Sequence, residues 1–134
     1  MKVMVTGATG FVGRGLCPLL VEHAHEVVAI SRGDLATNTS WQSSVNPRHV
    51  AVGEIGPETD WRHLLEGVQA VVHLAARVHV MRDDAADPLQ LYRVVNRDST
   101  ANLAYQAALS GVRRFVFVST IKVNGEGGER PYDE

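Results

Sequence analysis

Three glycines in one short segment, directly after a β-branched run, constrain the fold of this chain more than any other feature. The segment reads Gly7-Ala-Thr-Gly10-Phe-Val-Gly13 and follows the run Lys2–Thr6. The run is typical of a buried strand, while apolar residues in 11–24 recur at helical spacing before a second apolar run, Glu26–Ser31. Strand, glycine turn, helix and strand within about 30 residues predict a right-handed βαβ unit.

The glycine positions indicate what such a unit binds. The first glycine allows a tight turn, the second lets the backbone approach a pyrophosphate, and the third lets helix and strand pack closely. The helix N-terminus adds unpaired N–H groups and a partial positive charge. The simpler alternative is that these glycines only shape a turn. The strand-turn-helix context favours a dinucleotide site, whose expected contacts are Gly7, Thr9, Gly10, Phe11, Val12 and Gly13.

Further apolar runs extend the unit to a five-stranded sheet. Because the runs are nearly continuous rather than alternating, they indicate parallel strands covered on both faces. We predict a single α/β domain over 1–134 with a Rossmann-type parallel sheet, strand order 3-2-1-4-5 and helices on both faces. The further strands are expected at His49–Val52, Ala70–Leu74 and Phe115–Ser119, and the further helices at Asp60–Leu65 and from Asp87 to Ser110.

Composition excludes several classes of protein. With 45% hydrophobic and 21% charged residues and a net charge of −2, the chain is of ordinary globular type, without the basic surface that nucleic acid requires. No apolar run approaches the roughly 20 residues that cross a bilayer, and the N-terminus has no signal-peptide pattern. The only cysteine, Cys17, allows no internal disulfide, which favours the cytoplasm. The six histidines show no metal-binding spacing, and His73 is expected in the core.

Four motifs follow one another along the chain: Thr6-Gly-Ala-Thr-Gly-Phe-Val-Gly13, Val71-Val-His-Leu-Ala-Ala76, Asn96-Arg-Asp-Ser-Thr100, and Phe115-Val-Phe-Val-Ser-Thr120 with Val123-Asn-Gly125. In this order they resemble the extended short-chain dehydrogenase/reductases, in particular the NAD-dependent epimerase/dehydratase branch. The resemblance implies an NAD(P)-dependent nucleotide-sugar epimerase, 4-reductase or dehydratase that moves hydride between nicotinamide and a sugar carbon. Residues 121–126 are most similar to the bacterial surface-polysaccharide members, which act on UDP-N-acetylhexosamines.

Thr120, at the end of the fifth expected strand, matches the active-site Ser/Thr of this family. Its hydroxyl would hydrogen-bond the substrate oxygen that gains or loses a proton as hydride moves; a threonine with no role is the alternative. The family's general acid/base, a Tyr followed four residues later by Lys, is absent, because none of Tyr92, Tyr105 and Tyr132 has that lysine. We therefore expect the N-terminal, cofactor-binding part of an enzyme, without its substrate domain and inactive alone.

The end of the second expected strand bears on which dinucleotide binds. An acidic residue there holds the ribose 2′-OH of NAD, whereas an arginine accommodates the 2′-phosphate of NADP. This strand ends in Ser31-Arg32, with no carboxylate before Asp34. NAD or NADP is therefore expected, with NADP slightly favoured, unless Arg32 is an ordinary solvated charge.

By the same resemblance, the remaining cofactor contacts lie at strand ends and on one helix. The pair after strand three would lie along the adenine, small residues ending strand four would let the cofactor pass, and a helical asparagine would brace the site. For each, ordinary packing or surface exposure is the alternative. These residues are Glu54, Ile55, Leu74, Ala75, Ala76 and Asn96.

Two other function classes stay open. One is a dinucleotide sensor without chemistry, although Thr120 favours an enzyme because a sensor has no need of that hydroxyl. The other is a reductase of steroid or phenolic ketones, since the substrate-binding residues are not identified. The expected partners are a nucleotide sugar and a second copy of the chain as a candidate homodimer, with no nucleic acid and no membrane.

Overall fold

The computed structural model describes residues 1–34, 47–78 and 87–120. A segment of π-helix, Arg93–Asp98, joins two of the α-helices into one continuous rod. The strands are β1 (Lys2–Thr6), β2 (Glu26–Ser31), β3 (Arg48–Ala51), β4 (Ala70–His73) and β5 (Arg114–Phe117), and the helices are α1 (Phe11–Glu22), α2 (Arg62–Leu65), α3 (Pro88–Tyr92) and α4 (Ser99–Leu109).

The five strands form one parallel sheet in the order β3-β2-β1-β4-β5, which confirms the predicted topology. The predicted fifth strand was too long, because Ser119 lies outside β5. β5 pairs with β4, and the pairing ends where His73 of β4 lies opposite Phe117. One residue further on, the Val118 amide donates to the His73 carbonyl. The carboxyl ends of all strands therefore meet at one edge of the sheet.

Each face of the sheet has its own core. On one face Met4 and Val71 pack with Trp61 of the loop before α2 and Leu103 of α4. On the other face, residues of the opposite parity in β1 and β2 pack against Cys17 of α1. Burial raises the pKa of the Cys17 thiol to about 11, so this cysteine stays protonated and behaves as a small core residue.

The helix ends follow local capping chemistry. The helix expected over Asp60–Leu65, with Thr59 or Asp60 as its cap, begins two residues later, at Arg62. Its N-cap is Trp61, which makes no side-chain capping bond, and the Asp60 carboxylate accepts from the Arg62 amide at 3.0 Å. Asp87 is the N-cap of α3, and its carboxylate accepts from the Gln90 amide at 3.0 Å. The rod ends where Gly111 turns with φ of +76°. Across the described ranges, no helix is both long and apolar enough to cross a membrane.

Candidate cofactor site

The glycine turn packs so tightly that two of its glycines have no room for a side chain. Gly7 adopts φ of +67°, and a Cβ there would lie 2.8 Å from the Ala75 amide nitrogen. A Cβ on Gly13 would lie 2.5 Å from the Gly7 carbonyl oxygen and 2.6 Å from Ala8 Cα. Gly7 thus brings the turn against the residues that follow β4, and Gly13 brings α1 against the glycine turn directly after β1.

Gly10 differs from its two neighbours in the motif. A Cβ there would meet only the Gly7 carbonyl oxygen, at 3.1 Å. Packing within the protein therefore excludes a side chain at Gly10 less strictly than it does at Gly7 or Gly13. Gly10 is the N-cap of α1 and provides no side-chain cap, so the first amide groups of the helix remain available to a ligand.

A cleft of about 700 Å³ opens at the carboxyl edge of the sheet, beside the glycine turn. It spans the ends of β1 and β4, which flank the point where the strand order reverses. Ligands of open α/β sheets bind at this point, and the volume is in the range of small-molecule sites. The predicted residues that line it are Gly7, Thr9, Gly10, Phe11, Val12, Gly13, Ser31, Arg32, Glu54, Ile55, Leu74, Ala75 and Ala76.

Some residues of this cleft were missed by the sequence prediction. Most of them are apolar side chains near strand ends and on the π-helical segment, which the sequence does not distinguish from ordinary core residues. The additional lining residues are Thr6, Ile30, Val52, Val78, Val95 and Val118, and the cleft is also lined by Arg77, which the sequence offers as a candidate diphosphate contact. Arg77 carries the one charge among them, and its guanidinium lies over the Tyr92 ring, 5.5 Å from the ring centroid.

Two predicted cofactor residues contact each other at the β2 end of the cleft. The Arg32 guanidinium lies 3.6 Å from the Glu54 carboxylate, and both side chains are more than three-quarters exposed. The neighbouring Ser31 is buried, and its hydroxyl bonds to the Gly33 carbonyl and to His49 Nε2. Arg32 and Glu54 are therefore exposed to solvent. The end of β2 beside them is fixed by the hydrogen bonds of Ser31.

Asn96 does not line the cleft. Its side chain instead holds the backbone of Arg77, with Oδ1 accepting from the Arg77 amide at 2.7 Å and Nδ2 donating to the Arg77 carbonyl at 3.0 Å. The prediction from resemblance was that this asparagine braces the site from its helix. The contact with a cleft residue is compatible with that role.

Thr120, the predicted catalytic residue, lies three residues beyond the end of β5 and is exposed. It is not among the residues that line the cleft, which reaches along this strand as far as Val118. Its role therefore stays a prediction. Residues 121–126, on which the similarity to polysaccharide enzymes depends, lie outside the described residues.

His73 is buried, as predicted, but it is not an ordinary core residue. Its Nδ1 lies 2.6 Å from the Thr6 hydroxyl, which also accepts from the amides of Leu74 and Ala75 at 3.2 Å each. Burial lowers the pKa of His73 to about 4, so the imidazole is neutral near pH 7. Among the described residues, no His, Cys, Asp and Glu side chains cluster in an arrangement that could hold a metal ion.

The cleft, the glycine turn and the strand order together match a known family. The model of the NAD dependent epimerase/dehydratase family matches residues 3–134. The chain belongs to this family. A UDP-glucose 4-epimerase of Vibrio cholerae is 44% identical over 129 residues, covering 94% of this chain and 37% of that protein.

Two further relatives show the range of the epimerase/dehydratase family. A 3-beta-hydroxysteroid dehydrogenase of Mycolicibacterium neoaurum is 32% identical over 130 residues, covering 91% of this chain and 32% of that protein. The structure of MoeE5 with UDP-glucuronic acid and NAD superposes with a TM-score of 0.77 at 27% identity, covering 96% of this chain and 40% of that one. The chain thus spans well under half of the length of these relatives.

Proposed function

We propose that the chain forms the cofactor-binding part of an NAD(P)-dependent nucleotide-sugar epimerase, 4-reductase or dehydratase, with a role in bacterial surface-polysaccharide synthesis. The observation that carries the proposal is the cleft at the ends of β1 and β4. The N-terminus of α1 lines this cleft, and no side chain caps its first amide groups. Support comes from the Vibrio cholerae relative, which is a UDP-glucose 4-epimerase, and from MoeE5, whose structure contains UDP-glucuronic acid and NAD. When bound, the dinucleotide supplies the hydride donor and acceptor.

The diphosphate of the cofactor would lie at Gly10, against the first turn of α1. The amides of that turn have no side-chain cap, and they carry the partial positive charge of the helix N-terminus. Since a Cβ on Gly10 would meet only one protein atom, the missing side chain leaves the backbone open to a close-fitting ligand. This fit of the residues to a diphosphate is independent of the family resemblance.

At the adenosine end, we propose that NADP binds at least as well as NAD. An exposed ion pair such as Arg32 with Glu54 contributes only about 0.2–1 kcal/mol, whereas a charge-assisted bond to phosphate contributes about 1.5–3 kcal/mol. The interaction of the Arg32 guanidinium with a 2′-phosphate is therefore more favourable than its ion pair with Glu54. Because Glu54 stays close and repels that phosphate, we expect a modest preference, about fivefold to tenfold.

The catalytic residue in this proposal is Thr120, whose hydroxyl would bond to the reacting oxygen of the substrate. A hydroxyl without a stronger acid beside it is a poor proton donor near neutral pH, and the sequence 1–134 holds no Tyr followed four residues later by Lys. The 134-residue chain by itself is therefore expected to bind cofactor without turning over a sugar. We further propose the cytoplasm as its compartment, since Cys17 stays reduced there, and a homodimer as the assembly to test.

A reductase of steroid ketones is the second candidate. It is favoured by one observation, the 32% identity to the steroid dehydrogenase of Mycolicibacterium neoaurum. Both candidates use the same cleft and differ only in the substrate that approaches the nicotinamide.

A matched pair of variants on α1 tests the cofactor site. Gly10→Ala places a methyl group beside the proposed diphosphate, whereas Gly15→Ala, on the exposed side of the same helix, meets no atom within 4 Å. Calorimetric titration with NAD and NADP should show about tenfold weaker binding for Gly10→Ala and unchanged binding for Gly15→Ala. Equal affinities in the two variants would show that the diphosphate does not bind at this turn.

A further inference from the structure

A continuous series of hydrogen bonds runs behind the cleft, through three side chains on three different elements. The Thr6 hydroxyl on β1 lies 2.6 Å from His73 Nδ1 on β4, and His73 Nε2 lies 2.9 Å from the Thr100 hydroxyl on α4. That hydroxyl donates to the Asn96 carbonyl oxygen at 2.9 Å. Thr6 and His73 are fully buried, so the bond between them is shielded from water, while the two bonds of Thr100 are partly buried.

The donors and acceptors of this series can be assigned in only one way. The Thr100 hydroxyl gives its proton to the Asn96 carbonyl, so it accepts from His73 Nε2, which carries the proton of the neutral imidazole. Thr6 Oγ1 accepts from the Ala75 amide and shares the Leu74 amide with the Thr6 carbonyl oxygen, so its own proton points at His73 Nδ1. His73 Nδ1 therefore carries no proton.

Both ends of the series hold the same short segment of backbone, residues 74–77, which lines the cleft. Thr6 accepts from the first two amides of the segment, and the Asn96 side chain bonds to both the amide and the carbonyl of Arg77. At its start the segment touches the glycine turn, where a Cβ on Gly7 would lie 2.8 Å from the Ala75 nitrogen. A shift of this segment would therefore change the width of the cleft.

We propose that Thr6, His73, Thr100 and Asn96 act as one network that fixes residues 74–77 as a wall of the cofactor cleft. His73 is the positioning residue that connects the two anchored ends, and it does so as the imidazole protonated at Nε2. It does not line the cleft and acts only through its partners. The statement that the wall serves a cofactor rests on the proposed function; the network and its protonation do not.

The first test is the protonation state of the wild-type imidazole. Long-range ¹H–¹⁵N NMR spectra of the 134-residue chain at neutral pH should show His73 with a protonated Nε2 and an unprotonated Nδ1. A proton on Nδ1, or on both nitrogens, would overturn the network as assigned. This measurement needs neither cofactor nor variant.

The second test compares His73→Phe, which keeps a ring and removes both polar atoms, with Val28→Ala, a buried truncation on β2 away from the network. Amide hydrogen exchange of Ala75 and Arg77 should be at least about tenfold faster in His73→Phe, after correction for global stability, whereas the Leu74 amide keeps its bond to the Thr6 carbonyl. Equal exchange in the two variants would overturn the proposal. If His73→Phe does not fold, Thr100→Val, which breaks the middle of the network, replaces it.

The third test is cofactor affinity. The Kd for NADP should rise about tenfold in His73→Phe and recover in part in His73→Asn, whose amide oxygen can accept from Thr6 in place of Nδ1. An unchanged Kd in His73→Phe would contradict a positioning role. Failure of the wild-type chain to bind either dinucleotide would overturn the proposed function instead, while the protonation state and the exchange rates would still decide whether the network fixes residues 74–77.

Discussion

Two glycines of α1, two residues apart, should respond in opposite directions to the same substitution. Gly13 is buried against the glycine turn that follows β1, whereas Gly15 faces solvent. In a helix, replacing glycine by alanine stabilises the folded state by about 0.5–1 kcal/mol, because alanine loses less backbone entropy on folding. At Gly15 nothing opposes this gain, since a Cβ there meets no atom within 4 Å.

At Gly13 the gain is outweighed. The new Cβ would lie 2.5 Å from the Gly7 carbonyl oxygen and 2.6 Å from both Cα and O of Ala8. These are backbone atoms, which cannot move aside as the end of a flexible side chain can. Overpacking of this kind costs about 1–3 kcal/mol. After subtraction of the helix gain, Gly13→Ala should destabilise the chain by about 1–2 kcal/mol.

Urea unfolding of the two variants, followed by circular dichroism, measures both effects. The midpoint should fall for Gly13→Ala and rise for Gly15→Ala, with an unchanged slope. The difference between the two free energies of unfolding should be about 1.5–3 kcal/mol. A Gly13→Ala variant as stable as Gly15→Ala would show that α1 does not approach the glycine turn as closely as described.

Three further predictions concern cofactor choice, pH and turnover. Arg32→Ala should raise the Kd for NADP about fivefold to tenfold and leave that for NAD unchanged in calorimetric titrations; an equal change for both would exclude a 2′-phosphate contact. Because burial lowers the pKa of His73 to about 4, the unfolded chain takes up the proton first on acidification. The free energy of unfolding should therefore lose up to about 3 kcal/mol from this group between pH 6.5 and 4, and nothing above pH 6.5. His73→Asn should lack this loss in urea titrations, and an identical pH profile would contradict it. Single-turnover assays of the 134-residue chain with UDP-sugars should show no product, and clear turnover would refute the assignment of a missing proton donor.

The sequence predicted the fold well because its signals are local. Continuous apolar runs such as Glu26–Ser31 indicate parallel strands, and the glycine turn indicates the first crossover, so the strand order followed from known topology. Element ends were less certain. The length of β5 depends on where β4 stops, and the start of α2 depends on whether Asp60 joins the helix or precedes it.

The parts of the site that the sequence missed depend on contacts between distant residues. Thr6 and His73 are 67 residues apart, and they meet only because β1 and β4 pair in parallel with these two residues in register. A polar residue at the end of each of two apolar runs is the one signal that could have suggested the pair. The contact of Arg32 with Glu54 likewise depends on where two loops leave the sheet, which no spacing in the sequence encodes.

The central claim is that a dinucleotide binds in the cleft with its diphosphate at the N-terminus of α1. The most direct test is an NMR titration of the ¹⁵N-labelled chain with NADP and NAD. The account predicts that the largest shifts fall on the amides of Phe11, Val12 and Gly13, with a second group at Leu74 and Ala75. Shifts confined to other surfaces, or no shift at saturating dinucleotide, would contradict it.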